Sequence, residues 1–112
     1  MPRLNDRNTL TIVINREIWA DLRHYSYSQG TILVRLISSI IRNDLKNPSP
    51  LTVTTQDIPE GQVLTTSIKI PHALWAEAKK ATIDRNTTLT NLLYRAMLTF
   101  HQSIKENSTN QE

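Results

Sequence analysis

The sequence contains no cysteine and only two glycines, Gly30 and Gly61, among its 112 residues. Without cysteine the chain has neither a disulfide framework nor a thiolate metal site, which fits a reducing compartment. Two isolated glycines exclude a glycine-rich phosphate loop. The histidines, His24, His72 and His101, are not spaced as metal ligands, and no nucleophile, base and orienting group form a recognisable set. We therefore expect a protein that is not an enzyme and uses no cofactor.

Long apolar stretches are also missing. No apolar run approaches the roughly 18 residues of a membrane span, and the first segment, MPRLNDRN, is polar and unlike a secretory signal. We expect a soluble, cytoplasmic protein of one domain with no membrane partner. The net charge of +3 and the pI near 9.5 permit a polyanionic partner. An excess this small is common in other proteins, so it is weak evidence by itself.

The chain contains an internal repeat with an offset of 56 residues. The segment IWADLRH, which begins at Ile18, nearly recurs as LWAEAKK from Leu74. When Thr9–Arg42 is aligned with Thr65–Leu98, eight of 34 positions are identical and no gap is needed. The identical pairs are Thr9/Thr65, Ile12/Ile68, Ile14/Ile70, Trp19/Trp75, Ala20/Ala76, Thr31/Thr87, Leu33/Leu89 and Leu36/Leu92. The sequence thus predicts two copies of one structural unit.

Each copy opens with a short alternating segment, TLTIVIN at Thr9–Asn15 and TTSIKIP at Thr65–Pro71. Period-two alternation with β-branched residues predicts a strand. Leu10, Ile12 and Ile14 lie on one face of the first strand. The opposite face carries Thr9, Thr11 and Val13 in the first strand and Thr65, Ser67 and Lys69 in the second. A helix is predicted directly after each strand, from about residues 16 and 72, because asparagine is a good N-cap and proline suits a first turn.

Gly30 and Asn86 tolerate the left-handed conformation in which helices often end. A second helix with one broad apolar face is predicted to open near Ile32 and again near Thr88. The predicted organisation is a flexible N-terminal arm (1–8), a first unit (9–43), a linker (44–63), a second unit (64–103) and a polar tail (104–112). The linker holds three of the five prolines and is long enough to join the units in almost any arrangement.

A strand with two helices cannot bury its own apolar faces, and a lone strand leaves its backbone unpaired. The two units are therefore predicted to share one core beneath an antiparallel two-stranded ribbon. The fold class expected is mainly α, with two β-α-α units related by a pseudo-two-fold axis.

This order of elements resembles the ribbon-helix-helix DNA-binding family, in a tandem single-chain form. Thr66–Phe100 is the fuller match and Thr11–Ile41 the more diverged one. The resemblance implies sequence-specific binding of double-stranded DNA with the ribbon in the major groove. The implied base-contacting residues are Thr9, Thr11, Val13, Thr65, Ser67 and Lys69. The alternative is that they are solvated residues on the open face of a sheet.

In this family the start of the second helix binds a DNA phosphate through backbone amides. The implied phosphate contacts are Thr88, Leu89 and Thr90 in the second copy, Ile32 and Leu33 in the first, and Arg3 and Arg7 from the arm. The first copy departs from the pattern, because Ile32–Val34 is apolar where polar caps are expected. That segment is alternatively core or partner surface, and the two arginines are alternatively solvated charges in a disordered tail.

The resemblance implies a prokaryotic, plasmid or phage transcriptional regulator, chiefly a repressor, that self-associates side by side on DNA. Tandem chains of this kind also resemble relaxosome accessory proteins, which bind a plasmid transfer origin with a relaxase as partner. A third hypothesis is an antitoxin or other protein-interaction module, against which the short polar tail HQSIKENSTNQE argues. Because the outward residues of the two strands differ, the DNA site is predicted to be non-palindromic.

Overall fold

The protein is described here by a computed structural model, which covers residues 7–110, with side chains from 7 to 106. The elements in chain order are β1 (Arg7–Asn15), α1 (Arg16–Ser28), α2 (Leu33–Lys46), a 3₁₀ turn (Thr55–Asp57), β2 (Val63–Pro71), α3 (His72–Arg85) and α4 (Leu89–Asn110). The fold is mixed α/β, with a two-stranded antiparallel sheet and four α-helices.

The offset found in the sequence also relates the starts of the elements. β1 begins at residue 7 and β2 at 63, α1 at 16 and α3 at 72, α2 at 33 and α4 at 89, and each difference is 56. The predicted helix starts are confirmed to within one residue. Asn15 caps α1 by accepting the Glu17 N–H at 2.8 Å. Gly30 and Asn86 follow the first helix of each copy with positive φ angles of 68° and 54°.

Several element boundaries differ from those predicted. β1 begins at Arg7 rather than Thr9, so Arg7 belongs to the sheet and not to an N-terminal arm; Arg3 lies outside the described residues. β2 begins at Val63 rather than Thr65. Both strands are longer because backbone pairing continues past the alternating apolar positions, up to Arg7 with Pro71.

The second helices are also longer than predicted. α2 ends at Lys46, so residues 44–46 belong to this helix and not to the linker. α4 runs to Asn110, so residues 104–110 of the predicted polar tail are helical. Ile104 packs against the core, and no glycine or proline follows it to end the helix. The final turns of α4 thus extend a helix that is already anchored by its apolar face.

One hydrophobic core lies between the sheet and the helices. The inward face of the sheet contributes the fully buried side chains Leu10, Ile12, Ile14 and Ile70. The helices of both halves join the same cluster, through residues that include Leu22, Ile37, Ile41, Leu74, Leu93 and Met97. The two copies therefore share a core, as predicted from the inability of either one to bury its own apolar faces.

A buried ion pair joins the two halves on one side of the molecule. Asp44 of α2 is only 4% exposed. Its Oδ2 lies 2.6 Å from Arg85 Nη1 of α3, and Arg85 Nη2 donates to the Asp44 carbonyl at 3.0 Å. Asp44 Oδ1 also accepts the Ser49 N–H. The residue 56 positions after Asp44 is Phe100, which instead packs edge to face on Tyr25, with centroids 5.4 Å apart. The α2–α3 side of the interface therefore carries an ion pair, whereas the α1–α4 side carries this aromatic contact and a hydrogen-bonded pair, with His101 Nε2 2.8 Å from Asp21 Oδ2.

Replacing Asp44 with alanine leaves the Arg85 guanidinium without its carboxylate partner in a largely buried setting. We expect Asp44→Ala to lower the free energy of unfolding by about 2–3 kcal/mol, measured by urea denaturation. The matched control is Asp84→Ala, which removes an exposed carboxylate next to Arg85 in sequence and should change stability by less than about 0.5 kcal/mol. Equal losses for the two variants would contradict this account.

Candidate nucleic-acid interface

The face of the sheet opposite the core carries mostly exposed side chains within residues 7–106. Alternation along each strand places on it the six residues predicted to contact bases. Thr9, Thr11, Thr65, Ser67 and Lys69 are exposed and Val13 is half-buried. Their role toward DNA stays a prediction, but their placement on one open surface is confirmed. We call this surface the outer face.

The strand register fixes which of these residues are neighbours. Thr9 pairs with Lys69, Thr11 with Ser67 and Val13 with Thr65. Thr11 and Ser67 are equivalent positions of the repeat, because they are 56 residues apart, and they form the central pair. Val13 and Lys69, which are also equivalent in the repeat, consequently lie in different pairs on opposite sides of the centre.

The two ends of the outer face differ in chemistry. At one end the exposed Arg7 pairs with Pro71, in the register position next to the Thr9 and Lys69 pair on this face. At the other end lies Val63, which is 38% exposed and pairs with Asn15. One end therefore offers two cations, whereas the other offers apolar side chains next to Arg16, whose Nη2 donates to the Val63 carbonyl at 3.4 Å. Sequence reasoning missed Val63 and placed Arg7 in an arm, although both continue the odd-numbered alternation of their strands.

Hydrogen bonds from the strand ends and from the first residues of the following helices hold both ends of the ribbon. At the Val63 end, Asn15 Nδ2 donates to Gln62 Oε1 at 2.8 Å, and the Arg16 N–H donates to the Gln62 carbonyl at 2.8 Å. At the Arg7 end, Asn8 Oδ1 lies 2.6 Å from His72 Nδ1. Because each bond joins the first half to the second, the register is held at both ends of the strands.

A cleft of about 430 Å³ lies beside the ribbon, between α1, the start of α2 and β2. Its lining includes Trp19, Arg23, Tyr27, Ile32, Leu33 and Ser67. The structure thus brings two of the predicted phosphate-contacting residues, Ile32 and Leu33, close to a predicted base-contacting residue, Ser67. We call this space the α2 cleft.

The start of α2 is open to the α2 cleft. Ile32 occupies the N-cap position, is 61% exposed, and has no side-chain hydrogen bond to the helix. The amides of a helix's first turn have no intrahelical acceptor, so those of Leu33 and Val34 are available to an external anion. Leu33 packs against the core. Of the alternatives for Ile32–Val34, core therefore fits Leu33 and does not fit Ile32.

The start of α4 is arranged differently. Thr88 is exposed, and its Oγ1 accepts the Asn91 N–H at 3.1 Å, whereas Leu89 and Thr90 are partly buried. The Asn91 side chain in turn accepts the Thr55 N–H at 3.0 Å. The linker therefore lies against the first turn of α4, next to the residues predicted to contact phosphate in the second half.

The linker is held along α4 and does not have the freedom that its composition suggested. Arg95 Nε donates to the Val53 carbonyl at 2.7 Å, and Nη2 donates to the Thr52 carbonyl at 3.3 Å. Asp57 ends the 3₁₀ turn of the linker. Burial, together with this carboxylate, raises the pKa of the Tyr94 hydroxyl. The linker thus brings negative charge to the α4 side of the molecule.

Arg23 is a cationic residue of the site that sequence reasoning missed. Within residues 7–106, no hydrogen bond or ion pair involves its guanidinium. A signal was present in the repeat, because each first helix has a basic residue, a tryptophan and a second basic residue at one spacing. These are Arg16, Trp19 and Arg23 in α1, and His72, Trp75 and Lys79 in α3.

Residues 7–110 contain no group of three or more histidine, cysteine, aspartate or glutamate residues that could hold a metal ion. None of the helices in that range is both long enough and apolar enough to cross a bilayer.

Comparison of the chain with protein-family models, with curated protein sequences and with solved structures finds no match. The chemistry and geometry of the outer face and the α2 cleft are therefore the observations that bear on function.

The contacts of Arg95 give a test of the linker's docking. In Arg95→Met the Thr52 and Val53 carbonyls lose a charged donor, so we expect amide exchange at residues 52–55, and at Thr55 above all, to quicken by roughly tenfold. Hydrogen exchange followed by mass spectrometry or NMR measures this. Arg35→Met, which removes an exposed cation from α2, is the matched control and should leave these amides unchanged. Unchanged exchange in Arg95→Met would show that the linker is held by other contacts.

Proposed function

We propose that the chain is a sequence-specific double-stranded DNA-binding protein of the ribbon-helix-helix class, with two units in one chain. The observation that supports this most directly is the outer face, a two-stranded antiparallel ribbon backed by four helices. Apart from Val63 at one end, its exposed side chains are hydroxyls and cations. Its central pair is Thr11 with Ser67, and the starts of strands and helices share the 56-residue offset, as a pseudo-two-fold arrangement requires.

The chemistry of the outer face suits the DNA major groove. That groove admits a two-stranded ribbon and presents a different set of donors, acceptors and methyl groups for each base pair. Lys69 and Arg7 donate to guanine O6 or N7, the hydroxyls of Thr11 and Ser67 donate or accept, and Val13 contacts a thymine methyl. The cationic and apolar ends of the face therefore favour different bases at the two ends of one site.

Backbone phosphates provide the second part of the proposed interface. The first turns of α2 and α4 follow their strands by the same distance in sequence, and helix N-termini favour anions. In this arrangement the ribbon selects bases while Ile32 and Leu33 on one side, and Thr88–Thr90 on the other, fix the protein on the duplex.

We infer that the protein acts as a transcriptional regulator, chiefly a repressor that excludes polymerase by occupying its site. The same binding chemistry serves a relaxosome accessory protein, which would bind beside a nick site with a relaxase as partner. The position of the bound element distinguishes the roles, because a promoter supports the first and a transfer origin the second.

Selection of bound sequences from a pool of random duplex DNA tests the proposal. We expect a non-palindromic element, because the two strands present different outward residues, together with a steep fall of affinity with salt. A perfect inverted repeat centred on one ribbon would contradict the asymmetric use of the outer face. Absence of binding to any duplex, with a toxin-sized protein co-purifying instead, would replace DNA binding by the antitoxin hypothesis.

Lys69 offers the sharpest single test of base recognition. Lys69→Ala should weaken binding to the selected element by about 1–3 kcal/mol and relax the preference at one base pair, as measured by fluorescence anisotropy on the element and its single-base variants. The control is Lys80→Ala, an exposed lysine on α3 away from the ribbon, which should leave base preference unchanged. If Lys69→Ala keeps full affinity and preference, this strand does not contact bases in the proposed register.

A further inference from the structure

Outside the ribbon, the two halves differ in the contacts that their equivalent basic residues make. Arg23 lines the α2 cleft, and its guanidinium has no hydrogen bond or ion pair within residues 7–106. The cleft wall beside it is Trp19, which is only 8% exposed and therefore fixed by packing. Arg23 is thus a cation with no partner, at the edge of an open space that reaches Ser67 of the ribbon.

In the second half, the equivalent basic residue and the equivalent tryptophan contact each other. The Lys79 ammonium lies 5.8 Å from the centre of the Trp75 ring, within the range of a cation–π interaction. The His72 ring stacks on the same tryptophan, with centroids 5.9 Å apart and planes at 26°. His72 is itself held by Asn8. Lys79 therefore gives up an existing contact before it binds anything else, whereas Arg23 does not.

The linker adds a difference in charge that also makes the first half more favourable for an anion. Residues 47–62 include the acids Asp57 and Glu60 and no lysine or arginine. The bond from Thr55 to Asn91 fixes this acidic segment against the first turn of α4. The cation at the start of α4 is Arg95, whose guanidinium already donates to Thr87 Oγ1 and to the Thr52 and Val53 carbonyls of this segment. An anion that enters the α2 cleft instead meets Arg23, which has no such partners within residues 7–106.

We propose that the α2 cleft holds a DNA backbone phosphate with Arg23 as its charged ligand, and that the second half has no equivalent anchor. This inference rests on the proposed DNA binding and adds to it an unequal grip on the two flanks of the site. A guanidinium binds phosphate oxygens through two parallel hydrogen bonds, which fixes position as well as charge. The protein is then oriented on its site by the backbone anchor as well as by base contacts.

Arg23→Gln and Lys79→Gln form a matched pair, because the repeat places the two residues at equivalent positions of α1 and α3. Their affinities are compared by fluorescence anisotropy on the element recovered by selection and on random duplex. We expect Arg23→Gln to weaken both by about tenfold and to reduce the slope of log affinity against log salt by about one. Lys79→Gln should weaken them less than about threefold. Arg23→Lys should keep the wild-type salt slope, because it keeps the charge, but should lose part of the affinity, because an ammonium cannot make the two parallel hydrogen bonds.

Ethylation interference on the selected element locates the anchor. The phosphate whose modification harms wild-type binding but not Arg23→Gln should lie on one flank only. Thermal unfolding of each variant checks that the fold is retained, as expected for exposed side chains. Equal losses for the two glutamine variants, or matching interference on both flanks, would overturn the unequal anchor and leave DNA binding intact. A wild-type chain that binds no duplex would overturn both proposals.

Discussion

The antiparallel pairing of β1 with β2 is the interaction on which the rest of the structure depends. The two strands come from different halves of the chain, and neither has another strand to pair with in the described sheet. A two-stranded ribbon alone is marginal in water, so it needs helices packed on one face. The four helices cover that face and leave the other open. One constraint therefore produces both the shared core and the exposed outer face.

Joining two copies in one chain frees each copy to change. In a symmetric dimer of identical units, the residues at equivalent positions of the two strands must be the same. Here Val13 and Lys69 are equivalent yet different, and the register places them on opposite sides of the central pair. The core tolerates this divergence because Lys69 is exposed and Val13 is only half-buried against the edge of the core. Differences on the outer face thus cost little stability, while they alter the chemistry that the ribbon presents to a ligand.

Sequence reasoning succeeded where the signal is local and periodic. Alternation gave the faces of both strands, and Asn15, Gly30 and Asn86 gave the helix ends, because caps and turns depend on a few adjacent residues. It failed where one residue makes a single long-range contact. Nothing near Arg95 indicates that it binds the carbonyls of the linker. Arg7 was misplaced for a related reason, since a polar strand end gives no apolar alternation and is fixed only by its partner strand.

The linker makes strict two-fold symmetry unattainable. It runs from the end of α2 to the start of β2, and residues 7–110 contain no second connection of this kind. The structure places it along α4, where Arg95 and Asn91 bind its backbone and the Asp57 carboxylate acts on Tyr94. Asp44, which forms the ion pair with Arg85, also accepts the Ser49 N–H at the start of the linker. The linker joins the two copies and so allows their strands to differ, and it also gives the starts of α2 and α4 different surroundings. The asymmetry of the outer face and the asymmetry of its flanks therefore have one origin.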